Sequence, residues 1–138
     1  MGAPVTGRAQ RGMLDTSAVI DLPALDPARL PVEAAIPAIV LAELAQSVAM
    51  TKSAEQVMIR SQRLADIEAA FAAIPFDREG ARRYGTFVAL TIGANRDPRP
   101  RRIDLMIAAT AAAHGLPLYT RNPDDFRGLD SAVTVIAI

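Results

Sequence analysis

At 138 residues, 51% of them hydrophobic, the chain is long enough for one domain with a buried core and too apolar to be disordered. Its 15 basic and 15 acidic residues cancel, so overall charge recommends neither nucleic acid nor a membrane surface as partner. The absence of cysteine excludes a disulfide scaffold, a zinc–thiolate centre and a thiol nucleophile together.

Residues 1–11 read as a flexible tail before a single domain over 12–138, with Met13 as an alternative start. The polar opening "MGAPVTGRAQRG" has no apolar segment of a secretory signal. No run of about 18 apolar residues is long enough for a membrane span, and a reducing cytoplasm suits the cysteine-free composition. "GMLDTSAVI" predicts a short buried strand, Met13-Leu14-Asp15, turning into a helix capped by Thr16 or Ser17. "LPALDPARLPVE" holds three prolines and predicts a loop with at most one helical turn. A strand near Ala35-Ile36 leads into a helix over 38–50. A long amphipathic helix follows, with Val57, Leu64, Ile67, Ala70, Phe71 and Ile74 on one stripe. "IPF" (74–76) predicts a third strand, and Asp77 caps the next helix, "REGARRYGTFVALTIGA". A proline-stiffened basic loop, "NRDPRPRR", gives way to the helix "RRIDLMIAATAAAHG", ended by Gly115 with His114 at its C-terminal cap. "LPLYT" is a fourth strand, "NPDDF" a helical turn and "AVTVIAI" a last strand. Strands alternating with helices give an α/β domain around a small, mostly parallel buried sheet, whose sites collect at the carboxyl ends of the strands.

Three acids stand out against this frame. Asp104 is the sole charge between Ile103 and Ala113, Glu43 the sole charge between Ala34 and Thr51, and Asp15 closes an apolar strand. An ionised carboxylate in low dielectric costs several kcal/mol unless paired, and each like-charge pair at about 4 Å adds on the order of 4 kcal/mol. Either the three lie apart at the surface or they converge on a hard divalent cation. Each also has a plain structural reading. Asp104 suits the first turn of its helix, near Arg101; Glu43 suits a solvent-facing helix side; Asp15 suits a helix cap. Asn122, Pro123 and the following aspartates form a complete N-terminal cap without any catalysis. Other chemistry has little support: a lone histidine makes no triad, and no phosphate-binding glycine loop is present.

In this order, "MLDTSAVI", "IPAIVLAELAQ", "IPFDREGARRYG", "RRIDLMIAATAAAHGLPLYTRNPDDFRGL" and "VTVI" closely resemble the PIN-domain nucleases, and among them the VapC toxins of toxin–antitoxin pairs. The resemblance runs from about Met13 to the end. It implies a PIN-like α/β/α sandwich and a cytoplasmic endoribonuclease using Mg2+, with Mn2+ as a substitute. Asp15, Glu43 and Asp104 correspond to the family's acidic metal-binding positions, with Asp15 and Asp104 as direct ligands. Its fourth position, Asp in many members, falls on Asn122, and Asp125 stands near enough in sequence to compensate. Thr16 and Thr120 match the hydroxyl positions that brace such a site. Arg99, Arg101, Arg102 and Arg121 flank the acids, where guanidinium groups suit phosphate. The resemblance further implies a VapB-type antitoxin, a homodimer and an RNA substrate, with no membrane association. Two rival readings remain open at this level: an RNA-binding module of the same fold with little or no activity, and another metal-dependent α/β phosphohydrolase.

Overall fold

In the computed structural model, which describes residues 9–138, five strands form one sheet: β1 (Arg11–Leu14), β2 (Glu33–Pro37), β3 (Ala72–Ile74), β4 (Leu118–Thr120) and β5 (Val135–Ala137). Their order is β3-β2-β1-β4-β5 and every pairing is parallel. Five helices connect them: α1 (Thr16–Ile20), α2 (Ala38–Met50), α3 (Ala54–Ala70), α4 (Arg78–Gly93) and α5 (Arg102–Ala113). The helices α2 and α3 pack on each other, as do α4 and α5. The α/β/α sandwich expected from the sequence is present, and its sheet is parallel throughout.

The chain builds the sheet outward from β1 to β3, then returns to lay β4 on the other side of β1. The connection therefore reverses between β1 and β4, and in sheets of this kind ligands bind in the crevice outside the carboxyl ends at such a switch point. The core beneath is aliphatic. Met13, Leu14, Ile36, Val40, Leu105, Ile107 and Leu118 are all essentially sealed from solvent. The five residues Ile107 to Ala111 of α5 are buried, so this helix is the spine of the domain and only its first turn reaches the crevice. Small residues let that spine approach its neighbours closely. On β1, a Cβ at Gly12 would lie 2.5 Å from Tyr119 Cε1, so glycine is what allows β1 and β4 to pack there.

Several local expectations shift. Of the tail expected over 1–11, residues 1–8 lie outside the described residues, whereas Ala9 and Gln10 accept hydrogen bonds from the Val32 and Glu33 N–H groups. The first strand starts at Arg11 and ends before Asp15. The long third helix stops at Ala70, because residues 72–74 pair with β2 as strand instead. The third strand thus precedes Pro75, which has no N–H for a ladder. Along the α3 stripe only Ile67 is buried, while Val57 remains 37% exposed. The proline-rich segment contains two short 3-10 turns rather than one. Among the described residues no helix is long and apolar enough to cross a membrane.

Candidate active site

Asp15 lies where β1 ends, at the crevice. It is not free: its Oδ1 accepts from the Ala18 N–H (2.9 Å) and the Ser17 hydroxyl (2.7 Å), which makes Asp15 itself the cap of α1 in place of Thr16 or Ser17. Its Oδ2 accepts from the Thr120 hydroxyl at 2.5 Å, a bond that ties the ends of β1 and β4 together. With 4% of its surface exposed, Asp15 is buried with three donors on its carboxylate. Burial raises its pKa above the usual carboxylate value of 3.8, the three bonds hold it down, and Asp125 pushes it up again.

Asp104 occupies the first turn of α5, within electrostatic range of Asp15. Its pKa is pushed up from 3.8 to about 6, first by desolvation and then by the negative charges of Asp125, Asp15 and Glu43. Arg101 opposes this, although the two make no ion pair; the first-turn position expected for Asp104 is observed. Asp125, Asp15 and Glu43 thus all lie within electrostatic range of Asp104.

Glu43 reaches this space from α2, where its Oε1 accepts the hydroxyl of Thr16. The two threonines therefore brace different acids: Thr16 holds Glu43 and Thr120 holds Asp15. Asn122 is exposed just beyond β4. Its N–H donates to Thr120 Oγ1 (2.9 Å) and its carbonyl accepts from the Asp125 N–H (3.0 Å). The expected side-chain cap is absent, so the Asn122 amide is not spent on the turn over Pro123–Phe126.

Two participants were underweighted by sequence reasoning. Ser17 donates to Asp15 and accepts from the Arg121 N–H at 3.0 Å, a role legible only as a hydroxyl two residues after the acid. Asp125, half-buried, acts on both Asp15 and Asp104. The arginines are distributed around the rim. Arg99 pairs with Asp97 (3.2 Å), Arg102 donates to the Arg99 carbonyl (3.1 Å) and Arg121 stands 3.5 Å from Asp21. None of these pairs involves an acid of the crevice.

The donor set is all oxygen, which suits a hard divalent cation and no softer one. Among the described residues, however, no three acidic or histidine side chains are already gathered as a ligand set. Glu43 is turned to Thr16 and Asp15 to its three donors. The site is therefore electrostatically primed for positive charge but not preassembled around it.

Residues 13–131 match the family described as PIN domain. The chain is 37% identical over 129 residues to Ribonuclease VapC5 of Mycobacterium tuberculosis, covering 90% of this chain and 91% of that protein. The solved structure of VapBC-5, a toxin–antitoxin system of the same organism, superposes with a TM-score of 0.75 at 36% identity over 94% of this chain and 98% of that one. VapBC2 from Rickettsia felis, bound to a DNA fragment from its promoter, shares the fold alone, with a TM-score of 0.76 at 23% identity over 93% and 98% of the two chains. Matched over residues 13–131 by the PIN-domain family and 37% identical to a VapC ribonuclease over 90% of its own length, the chain belongs to the PIN-domain family, among its VapC members.

Proposed function

We propose that this protein is a divalent-cation-dependent endoribonuclease, the toxin of a VapBC-type pair, acting in the cytoplasm. The single observation that carries the reading is the pressure on Asp104, pushed up to about 6 first by desolvation and then by the negative charges of Asp125, Asp15 and Glu43. A protein gains nothing in stability from that pressure, so it is retained for something positive.

Asp15 and Asp104 would hold the cation, Mg2+ or Mn2+, with Asn122 offering its uncommitted amide oxygen at the edge. When bound, such an ion supplies positive charge opposite the scissile phosphate and makes nearby water more acidic. The chain's own groups do the rest. Glu43 Oε1, released from Thr16, accepts the proton of the attacking water. The water oxygen bonds to phosphorus, the P–O3′ bond breaks, and O3′ takes a proton, leaving a 3′-hydroxyl and a 5′-phosphate. Ser17 and Thr120 keep Asp15 oriented and ionised by donating to it. Arg99, Arg101, Arg102 and Arg121 flank the crevice and would bind the RNA backbone. The ion pairs of Arg99 and Arg121 are solvent-exposed and cost little to exchange for phosphate.

The antitoxin fits a second surface. An apolar groove of about 630 Å3 runs between α1 and α3, lined by Val19, Ile20, Leu22, Met58, Ile59 and Ile67. Ile20 is 43% and Met58 74% exposed there, an apolar face suited to a partner's amphipathic segment.

The test is to sequence RNA 5′ ends after brief expression, comparing the native protein with Asp104→Asn. New 5′-phosphate ends seen only with the native protein support the reading. RNA cleavage that persists in Asp104→Asn, or in excess EDTA, would refute it.

A further inference from the structure

We propose that Arg96, which touches none of the four acids Asp15, Glu43, Asp104 and Asp125, is the positioning residue that fixes the Asn122–Asp125 wall of the site. The inference rests on the nuclease reading for its effect on cleavage, but not for its structural part.

Arg96 lies in the loop between α4 and α5. Its own backbone is set by the N–H donating to the Thr91 carbonyl (3.0 Å) and by Asn95 in the left-handed region, φ 65°. The side chain is only 8% exposed, a rare state for arginine. Its Nη1 donates to the Asp124 carbonyl (2.9 Å) and to the Arg127 carbonyl (3.3 Å), and Nη2 stands 3.7 Å from the Asp124 carboxylate. That carboxylate also pairs with Arg127 at 2.9 Å on the solvent side. One planar guanidinium thus spans both ends of the 3-10 turn at Pro123–Phe126. Lysine, a point charge on a single stem, cannot present the same planar set of donors.

A second contact fastens the same segment. Gly128 has φ +93°, and a Cβ there would lie 2.7 Å from the Ala94 Cβ. The stretch 124–128 is therefore bound to the end of α4 at two independent points. This stretch carries Asp125, whose N–H holds the Asn122 carbonyl, and Asn122 in turn donates to Thr120, the partner of Asp15. A continuous chain of bonds runs from a buried arginine to the central acid. Phe126 and Leu129, each 1% exposed, anchor the segment in the core, so losing the guanidinium loosens the Asn122–Asp125 wall without unfolding the domain.

The experiment compares Arg96→Lys and Arg96→Met with the native protein by amide hydrogen exchange, thermal melting and steady-state RNA cleavage. Exchange of the Asp125 and Arg127 amides should rise about 10-fold or more in both variants, with the Ala18 amide unchanged. The maximal rate should fall about 10- to 100-fold with KM within about 2-fold, the mark of misplaced groups and not of lost RNA contact. The lysine variant, which keeps charge and fold, should recover at most part of the rate. Unchanged exchange at 122–127, or altered exchange with native cleavage, overturns the proposal, as does a change confined to KM. If the native protein cleaves no RNA, the nuclease reading fails, while the exchange comparison still decides whether Arg96 holds the turn.

Discussion

The Thr120 hydroxyl and the Asp15 carboxylate meet at 2.5 Å across 105 positions of sequence, and both their strands end at that point. The bond does two things. It locks the switch point of the sheet, and it supplies a donor to the carboxylate that opposes the upward push of burial on its pKa. Thr120→Val keeps shape and removes the donor. The pKa of Asp15 should then rise further, since the charged form has lost a partner. The acid limb of the cleavage profile should move to higher pH, with a stability loss of about 1–2 kcal/mol by denaturant titration. An unmoved limb would show that Thr120 is only a packing residue.

Asp104 gives a pH dependence of definite sign. Its folded pKa of about 6 lies above its ordinary 3.8, so the folded state binds the proton more tightly than the unfolded one. The resulting stabilisation is complete below about 3.8 and is lost as pH rises through about 6. With no cation present, Asp104→Asn should therefore melt higher than the native protein at pH 7.5, and the gap should close as the pH falls from 6 toward 4. Allowing for solvent screening of a partly exposed carboxyl, the gap at neutral pH is on the order of 1–2 kcal/mol. A variant less stable than the native protein at pH 7.5 would contradict the electrostatic account of the site.

Glu43 separates chemistry from folding. Its carboxylate accepts the Thr16 hydroxyl, and glutamine offers an amide oxygen of the same reach. Glu43→Gln should melt within a few degrees of the native protein and lose about 100-fold or more in cleavage rate. Cleavage within a few-fold of native would remove Glu43 as proton acceptor.

Much of this was legible in the sequence because local and long-range signals agree. The α2 helix runs over the residues that its apolar pattern predicts, and Asp77 caps α4 by accepting from the Gly80 N–H as its position suggests. The third strand was misplaced because alanine-rich residues 69–73 are good helix formers, and only pairing with β2 draws 72–74 out of the helix. The site was legible in its three isolated acids, whose lack of local countercharge is a sequence property. Ser17, Asp125 and Arg96 were less so, since their roles arise from contacts 104, 110 and 28 positions away. Asn122 misled in the other direction: a strong capping residue stands at the cap position without using its side chain.

The unassembled state of the acids sets the last expectation. Because Asp15 and Glu43 are each engaged with hydroxyls, a cation must compete with those bonds and with the proton on Asp104. Binding to the folded state alone stabilises it by RT ln(1 + c/Kd), with c the ion concentration, so the melting temperature rises with the logarithm of c once that exceeds the Kd. Millimolar Mg2+ or Mn2+ should thus stabilise the native protein at pH 7.5, where Asp104 is ionised, and should do so much less at pH 5, where it is protonated. Asp104→Asn should be insensitive at both pH values, and Asp15→Asn should behave like it. Calcium offers the comparison that separates charge from fit, since it accepts looser oxygen geometry. Equal stabilisation of native protein and Asp104→Asn by Mg2+ at pH 7.5 would place the ion elsewhere on the surface, and the crevice would have to owe its acids to something other than a metal.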